Sequence, residues 1–181
     1  HRLDKQTSGL LVVAKNSFCH LSLSRQFQLR TVTKKYLALV HGEFGKDRGE
    51  IKAPIGRDRV HRIKMSTRAS LGREAHTSFQ VRERFPKFTF LELHIKTGRT
   101  HQIRVHLSSI KHPVVGDTLY GAPRRIVLPG TRLGVPTLER NFLHAAALEF
   151  SHPRSQELLQ FSCELPSVLL EFLEDLRRPM N

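Results

Sequence analysis

The hydrophobic pattern of the chain changes its period between residues 88–96 and 100–111, and this change constrains the fold most strongly. In the first segment apolar and polar side chains alternate, which is typical of a β-strand with one buried face. In the second segment Ile103, Leu107 and Ile110 recur at helical spacing. A glycine between the segments permits a tight turn. The sequence therefore predicts a strand that leads directly into an amphipathic helix.

Strand and helix patterns of the same kinds account for most of the remaining chain. We expect further strands at residues 10–14, 36–40, 74–84, 143–150 and 158–163. Helices are predicted from Asn16 or Ser17 to about residue 29, and from Pro166 onward. The side chains expected to face inward from these two helices are Leu21, Phe27, Val168, Leu169, Phe172, Leu173 and Leu176. Residues 45–70 suggest short strands joined by a basic loop, and residues 121–140 suggest an irregular loop.

These patterns predict an α+β fold with a mixed, largely antiparallel sheet as its core and a few packed helices. The sequence has no repeats and no interdomain linkers, so we expect residues 1–181 to form one domain. No run of about 18 apolar residues occurs, and no membrane span is expected. Cys19 and Cys163 fit neither a disulfide framework nor a metal knuckle, which favours a reducing, cytoplasmic compartment.

The charge of the chain favours a polyanionic partner. Thirty Lys and Arg stand against sixteen Asp and Glu, which gives a formal net charge of +14. Each phosphate that a basic side chain neutralises releases counterions, so nucleic acid is the expected partner. A basic domain without any chemistry is the alternative that charge alone leaves open.

The first candidate for chemistry is Asp4, which lies between Arg2 and Lys5 in the opening segment. A neighbouring cation favours the ionised form of a carboxylate. An ionised aspartate held beside a sugar can attack the anomeric carbon or take a proton, as carboxylates do in glycosidases. The alternative is a turn in which Asp4 accepts hydrogen bonds from backbone amides and pairs with one of the two cations.

A second candidate group surrounds the start of the helix at residues 100–111. Thr100 is placed to cap this helix, and His101 and Arg104 are three residues apart on one face. An arginine in the first turn of this helix, Arg104, is suited to binding a carboxylate or a phosphate with two hydrogen bonds. The alternative is a solvated basic helix face.

Tyr36 is the third candidate, because its strand carries cations beside it and its ring could stack on a base. The alternative is an interior tyrosine with one hydrogen bond. The eleven histidines do not indicate a metal site. His101 and His106 are five residues apart and do not share a helix face, and no set of carboxylates accompanies them.

Taken together, these segments resemble the RluA-type pseudouridine synthases. Residues 1–9 match the family signature His-Arg-Leu-Asp-x-x-Thr-Ser-Gly, and residues 34–42 resemble its tyrosine-bearing strand. Residues 97–120 are similar to its longest motif, and residues 143–153 to a late strand. The four matches occur in the family's order and extend over nearly the whole chain.

The resemblance implies a role for each candidate residue. Asp4 would be the nucleophile that labilises the glycosidic bond of a uridine, either by attacking the sugar or by abstracting a proton from it. Arg104 would pair with Asp4, and Tyr36 would contact the uracil ring. Arg2 would help to extrude the base from its helix, because a stacked base must be flipped out to react. Arg99, His101 and Leu143 would complete the substrate-binding site, with no metal and no cofactor.

The resemblance also implies a substrate and a departure from the family pattern. Ribosomal RNA is the expected target ahead of transfer RNA, and the protein is expected to be a monomer. The family's catalytic domain normally begins several strands before the signature, so we expect these front strands to be missing from this chain. An RNA-binding fragment without turnover is therefore the alternative to an active isomerase. A metal-dependent hydrolase is a remote third possibility.

Overall fold

A computed structural model describes residues 1–126, 135–136 and 138–178 of the protein. The elements are β1 (Ser8–Gly9), α1 (Ser17–Gln28), β2 (Thr33–His41), β3 (Arg48–Lys52), β4 (Gly56–Arg57), β5 (Met65–Ser66), β6 (His76–Phe85), β7 (Phe88–Ile95), α2 (Gln102–Ser109), β8 (Arg125–Ile126), β9 (Val135–Pro136), β10 (Leu143–Ser151), β11 (Leu158–Ser162) and α3 (Ser167–Arg177). A short 3₁₀ helix, Thr118–Tyr120, follows α2. The predicted α+β class is confirmed. The extent of a single domain over residues 1–181 stays a prediction.

One seven-stranded sheet organises the fold. Its strand order is β1-β10-β2-β7-β6-β3, and β11 pairs with β10 beside β1. All pairings within the sheet are antiparallel except the parallel pair of β1 with β10. The two-residue pairs β4–β5 and β8–β9 lie outside it. The expected mixed, largely antiparallel sheet is therefore present.

The central strands have two different faces. Tyr36 pairs with Leu93 and with Ala145, and Leu37 pairs with Glu92. Because successive side chains of a strand point to opposite faces, Tyr36 and Leu93 share one face, and Glu92 lies on the other. The face that carries Tyr36 lines the main cleft of the protein.

The predicted strand at residues 10–14 is wrong. The strand is Ser8–Gly9 instead, and after the Leu10 amide donates to the Ala145 carbonyl oxygen (3.0 Å) the chain leaves the sheet. Val13 is 75% exposed, whereas Leu10 packs against a small cluster that includes Leu148. The apolar run therefore contributes side chains to a core, but beyond the Leu10 amide its backbone does not pair with another strand.

Other corrections concern the ends and faces of helices. Helix α2 begins at Gln102, and His101, not Thr100, is its N-cap residue, with a φ of 55° in the left-handed region. Ile110 follows the helix and is partly exposed, contrary to the predicted stripe. Leu21 and Val168 were expected to face inward, but they are 70% and 43% exposed. Their helices bury neighbouring positions instead.

The remaining predictions of helix packing are confirmed. Asn16 caps α1, and its side-chain oxygen accepts a hydrogen bond from the Cys19 amide at 2.9 Å. In α3, Leu169, Leu173 and Leu176 are buried in the main core. The predicted irregular loop at residues 121–140 lies partly outside the described residues, and its described part contains β8 and β9.

Candidate active site

A cleft of about 640 Å³ opens on the face of the sheet that carries Tyr36. Its wall is built from the opening segment, the end of α1, β2, the connection between β7 and α2, and the start of β10. Of the seven residues predicted for the site, six line this cleft: Arg2, Asp4, Tyr36, Arg99, Arg104 and Leu143. His101 is not among the lining residues.

The opening segment is fixed to the sheet immediately after Asp4. The Thr7 amide donates to the Asp4 carbonyl oxygen at 2.9 Å and closes a turn. Ser8 and Gly9 then pair with His144 and Ala145 of β10, and the Ser8 hydroxyl lies 2.9 Å from His144 Nδ1. The position of the Asp4 carboxylate therefore depends on the two residues of β1.

Arg104 connects the Asp4 carboxylate to a second, fully buried carboxylate. Arg104 Nη1 donates to Asp4 Oδ2 at 3.2 Å, across 100 positions of the sequence. Its Nε and Nη2 donate to the two oxygens of Asp117 at 2.6 and 2.8 Å. The guanidinium carbon also lies 4.8 Å from the centre of the Tyr120 ring. Burial opposes the charge of Arg104, but its hydrogen bonds to Asp117 and Asp4 outweigh burial and raise its pKa.

A buried hydrogen-bond network fixes the first turn of α2, from which Arg104 projects. The Gln102 side-chain amide donates to the His76 carbonyl oxygen (3.0 Å) and to Thr77 Oγ1 (3.1 Å). Gln102 Oε1 accepts from Thr97 Oγ1 (2.7 Å) and from the Arg99 amide (3.0 Å). All partners of this buried amide are supplied by β6 and by the turn after β7. The helix start is thus held in one orientation relative to the sheet.

Tyr36 presents a neutral phenol to the cleft. Burial, together with the negative charge of Asp4, raises the pKa of Tyr36 to about 12. The residue is 8% exposed, and among the described residues its hydroxyl makes no hydrogen bond. The predicted alternative, an interior tyrosine with one internal hydrogen bond, is therefore not what this part of the structure shows.

His101 is held beside the cleft by Tyr120. Its Nδ1 lies 2.8 Å from the Tyr120 hydroxyl, which also accepts a hydrogen bond from the Met65 amide at 2.9 Å. The Tyr120 hydroxyl and His101 Nδ1 are therefore joined by a hydrogen bond whose donor is set by the tautomer of the imidazole ring. Burial lowers the pKa of His101, although Asp4 acts in the opposite direction.

The cleft is strongly basic apart from Asp4. Its cationic lining residues are Arg2, Arg30, Lys34, Arg73, Lys96, Arg99 and Arg104, and among the residues that the structure describes Asp4 is the one carboxylate in the lining. Arg99 is anchored at its Nε, which donates to the Glu74 carbonyl oxygen at 3.0 Å. Burial and the neighbouring cations Arg73 and Arg30 lower its pKa. The cleft therefore combines one carboxylate with a basic surface suited to phosphates.

Two kinds of feature are absent from the described part of the chain. No group of three or more His, Cys, Asp or Glu side chains there could hold a metal ion. Within the same residues, no helix is long and apolar enough to cross a lipid bilayer.

The comparisons with known proteins decide the family. Residues 1–109 match the family model of RNA pseudouridylate synthases. The chain belongs to this family. From the sequence we expected a member of the RluA-type pseudouridine synthases, and this expectation is confirmed.

Relatives and solved structures of the family match almost the entire chain. The chain is 47% identical to ribosomal large subunit pseudouridine synthase D of Nitrosomonas europaea over 98% of its own length and 50% of that protein. It is 46% identical to an uncharacterized RNA pseudouridine synthase of Bacillus subtilis, with 98% and 55% covered. The structure of human RNA pseudouridylate synthase domain containing 1 matches with a TM-score of 0.73 and 31% identity, covering 99% of this chain and 79% of that one. The chain spans about half the length of the curated relatives that it matches.

Sequence reasoning missed the two residues that surround Arg104. Asp117 and Tyr120 fall within residues 97–120, which resemble the family's longest motif, but no role was assigned to either. Both lie beyond the residues that the family model matches. The sequence did show that a carboxylate and an aromatic residue follow the helix that carries Arg104. Spacing alone does not show that the chain folds back onto Arg104.

Proposed function

We propose that this protein isomerises specific uridines of structured RNA to pseudouridine, with Asp4 as the nucleophile. The observation that supports this most is the pairing of Asp4 with buried Arg104 beside the neutral phenol of Tyr36, at the bottom of a basic cleft. The family and the names of its members support the same reaction.

The reaction requires one bond to break and another to form between the same two rings. Asp4 labilises the bond between N1 of uracil and C1′ of ribose, and the freed uracil rotates in the cleft. A bond then forms between C5 and C1′, C5 loses its proton, and N1 gains one. The product is an isomer of the substrate, so the balance needs no oxidant and no second substrate.

The remaining residues of the cleft have roles that follow from their chemistry. Tyr36 packs against the uracil ring. Its high pKa keeps the phenol protonated, so its hydroxyl can donate a hydrogen bond or a proton to the base. Leu143 lines the pocket, and Arg99 binds phosphate. Arg2 assists extrusion of the uridine, since the glycosidic bond of a stacked base is not accessible to Asp4. We place His101 beside the cleft, where it acts through Tyr120.

Ribosomal RNA is the proposed target class, because several relatives are named as pseudouridine synthases of the large ribosomal subunit. The proposal covers the chain as given, which spans about half of those proteins.

The test is tritium release from RNA labelled at C5 of uridine, with bulk ribosomal RNA as the substrate. We expect release by the wild-type chain, and a loss of at least about 1000-fold in Asp4→Ala and Asp4→Asn, as for other removed nucleophiles. RNA affinity should stay within about twofold, because Asp4 contributes no positive charge. Asp47→Asn is the matched control, since it removes an exposed carboxylate that pairs with Arg84.

Each other outcome has a definite meaning. Turnover retained in both Asp4 variants would remove Asp4 from its assigned role. RNA binding without release by the wild-type chain would support an RNA-binding protein without turnover. Release that a chelator abolishes would support metal-dependent chemistry.

A further inference from the structure

The guanidinium group of Arg104 donates hydrogen bonds to two carboxylates at the cleft, and it donates more of them to one than to the other. Asp117 takes two short hydrogen bonds from Arg104, at Nε and Nη2. Asp4 takes one longer bond, 3.2 Å, from Nη1. The Asp4 carboxylate accepts no other hydrogen bond from the described residues, so its Oδ1 is not engaged by the protein there. A bidentate pair is the geometry in which arginine binds a carboxylate most strongly.

The surroundings keep Arg104 in this unequal arrangement. Asp117 is 1% exposed, and an isolated charge at such a position would be costly, so its pair with Arg104 is tightly maintained. The Tyr120 ring covers the guanidinium group at 4.8 Å, which is within the range of a cation–π contact. The Tyr120 hydroxyl is itself fixed between the Met65 amide and His101.

Asp117 thereby competes with Asp4 for the same cation. One positive and two negative charges leave a net negative charge at the site, so Asp4 is oriented without being fully neutralised. Without Asp117, the guanidinium group of Arg104 could rotate and donate two parallel hydrogen bonds to Asp4. Both oxygens of the nucleophile would then be occupied.

We propose that Asp117 and Tyr120 are positioning residues, which hold Arg104 so that it gives Asp4 one hydrogen bond and leaves the other carboxylate oxygen free to react. The effect on turnover rests on the proposed function. The effect on Arg104 itself does not depend on that function and can be measured separately.

The decisive variant is Asp117→Asn, which keeps the side-chain shape but offers Arg104 only one acceptor. We expect the single-turnover rate of tritium release, at saturating enzyme, to fall about 10- to 100-fold, as when a residue that orients a reactive group is lost. The dissociation constant for RNA should stay within about twofold, because the surface cations are unchanged. A rate that falls at constant affinity separates positioning from general damage.

Glu92→Gln is the matched control. Glu92 is also a buried carboxylate, 5% exposed, and it pairs with Arg82, Lys35 and His94 on the opposite face of the sheet. Its loss removes a buried charge of the same kind at a distance from the cleft. We expect its single-turnover rate to stay within about twofold of wild type, since distant sites act independently. Equal rate losses in the two variants would overturn the proposal.

The signal of the Arg104 Nε proton in ¹⁵N-labelled protein supplies a readout that needs no turnover. We expect this proton to be protected from exchange in wild type and in Glu92→Gln, and to lose protection in Asp117→Asn. If the wild-type chain releases no tritium but this pattern appears, the positioning role stands and the proposed function fails. Protection that persists in Asp117→Asn, or a wild-type rate in that variant, overturns the positioning role.

Tyr120→Leu covers the case in which Asp117→Asn does not fold. It keeps Asp117 and most of the buried apolar volume but removes the ring over Arg104 and both contacts of its hydroxyl. A lower single-turnover rate at unchanged RNA affinity, with faster exchange of the Arg104 Nε proton, supports the proposal. A wild-type rate and wild-type protection contradict it.

Discussion

At the scale of single residues, the cleft gathers side chains that are far apart in sequence but have complementary chemistry. Asp4 is 18% exposed at its side chain, whereas its partner Arg104 is 7% exposed. Asp4 is therefore the more accessible member of the pair, and the cation that is bonded to it is enclosed by protein. Tyr36 lies in the same cleft, and its high pKa is caused by burial and by the charge of Asp4. The electrostatic environment of Tyr36 thus depends on the charge of Asp4.

The pKa of Tyr36 predicts how stability changes at high pH. Its value is about 12 in the folded protein and about 10 in an unfolded chain, so only the unfolded state ionises between these values. The contribution of Tyr36 is fully present below pH 10 and is lost as the pH rises to 12. The total loss is about 3 kcal/mol in the free energy of unfolding. Urea unfolding at intervals across this range should show the decrease.

Tyr36→Phe is the variant that isolates this effect. It lacks the ionisable hydroxyl, so its free energy of unfolding should decrease less between pH 10 and 12 than that of wild type. The titration of lysines is common to both proteins and cancels in the difference. Parallel curves for the two proteins would mean that the Tyr36 hydroxyl is solvated in the cleft and ionises normally.

At the scale of elements, sequence patterns predicted what depends on local periodicity. Residues 74–84 and 88–96 were expected as strands, and they form β6 and β7 as a hairpin. The pattern failed at residues 10–14, because a short continuous apolar run indicates that side chains are buried but not whether the backbone finds a partner strand. Asp117 was missed for a similar reason. Its contact with Arg104 arises only because the turn after α2 brings it back to that residue.

The attachment of β1 to β10 leads to a prediction about the shortest element of the sheet. Gly9 has a φ of 110°, and a Cβ atom built there would overlap the carbonyl oxygen of Ala145. Gly9→Ala therefore meets both a backbone penalty of about 1–2 kcal/mol and a steric clash with β10. We expect it to destabilise the protein by about 3 kcal/mol or more, which is the range of a strained special position. Turnover should fall too, because β1 directly follows the Asp4 turn.

Gly45→Ala is the control for that substitution. Gly45 has no atom within 4 Å of a built Cβ, and its φ lies outside the left-handed region. Thermal and urea unfolding should place this variant within about 0.5 kcal/mol of wild type, as for ordinary surface changes. A Gly9→Ala protein as stable as the control would show that β1 can shift away from β10 without cost.

At the scale of the whole molecule, part of the positive charge lines the cleft in which the proposed chemistry takes place. Besides Arg104, whose charge is balanced by its two carboxylates, six cations of the described residues line the cleft: Arg2, Arg30, Lys34, Arg73, Lys96 and Arg99. Arg30 also forms an exposed ion pair with Glu74 at 3.5 Å. A net charge of +14 would attract RNA to any surface of the protein. A productive complex requires that phosphates neutralise the cations of the cleft specifically.

This distinction is measurable as the salt dependence of RNA affinity. A single strand contributes a slope of about −0.7 in log K against log salt for each phosphate neutralised, so six contacts would give about −4. Lys96 and Lys87 allow a matched comparison, because both are exposed and they flank opposite ends of β7, about 25 Å apart. Lys96 lines the cleft, whereas Lys87 does not. We expect Lys96→Gln to reduce the slope by about 0.7 and Lys87→Gln to leave it unchanged. Equal slopes for both variants would mean that the overall charge of the protein binds RNA. The cations of the cleft would then not determine where the RNA phosphates bind.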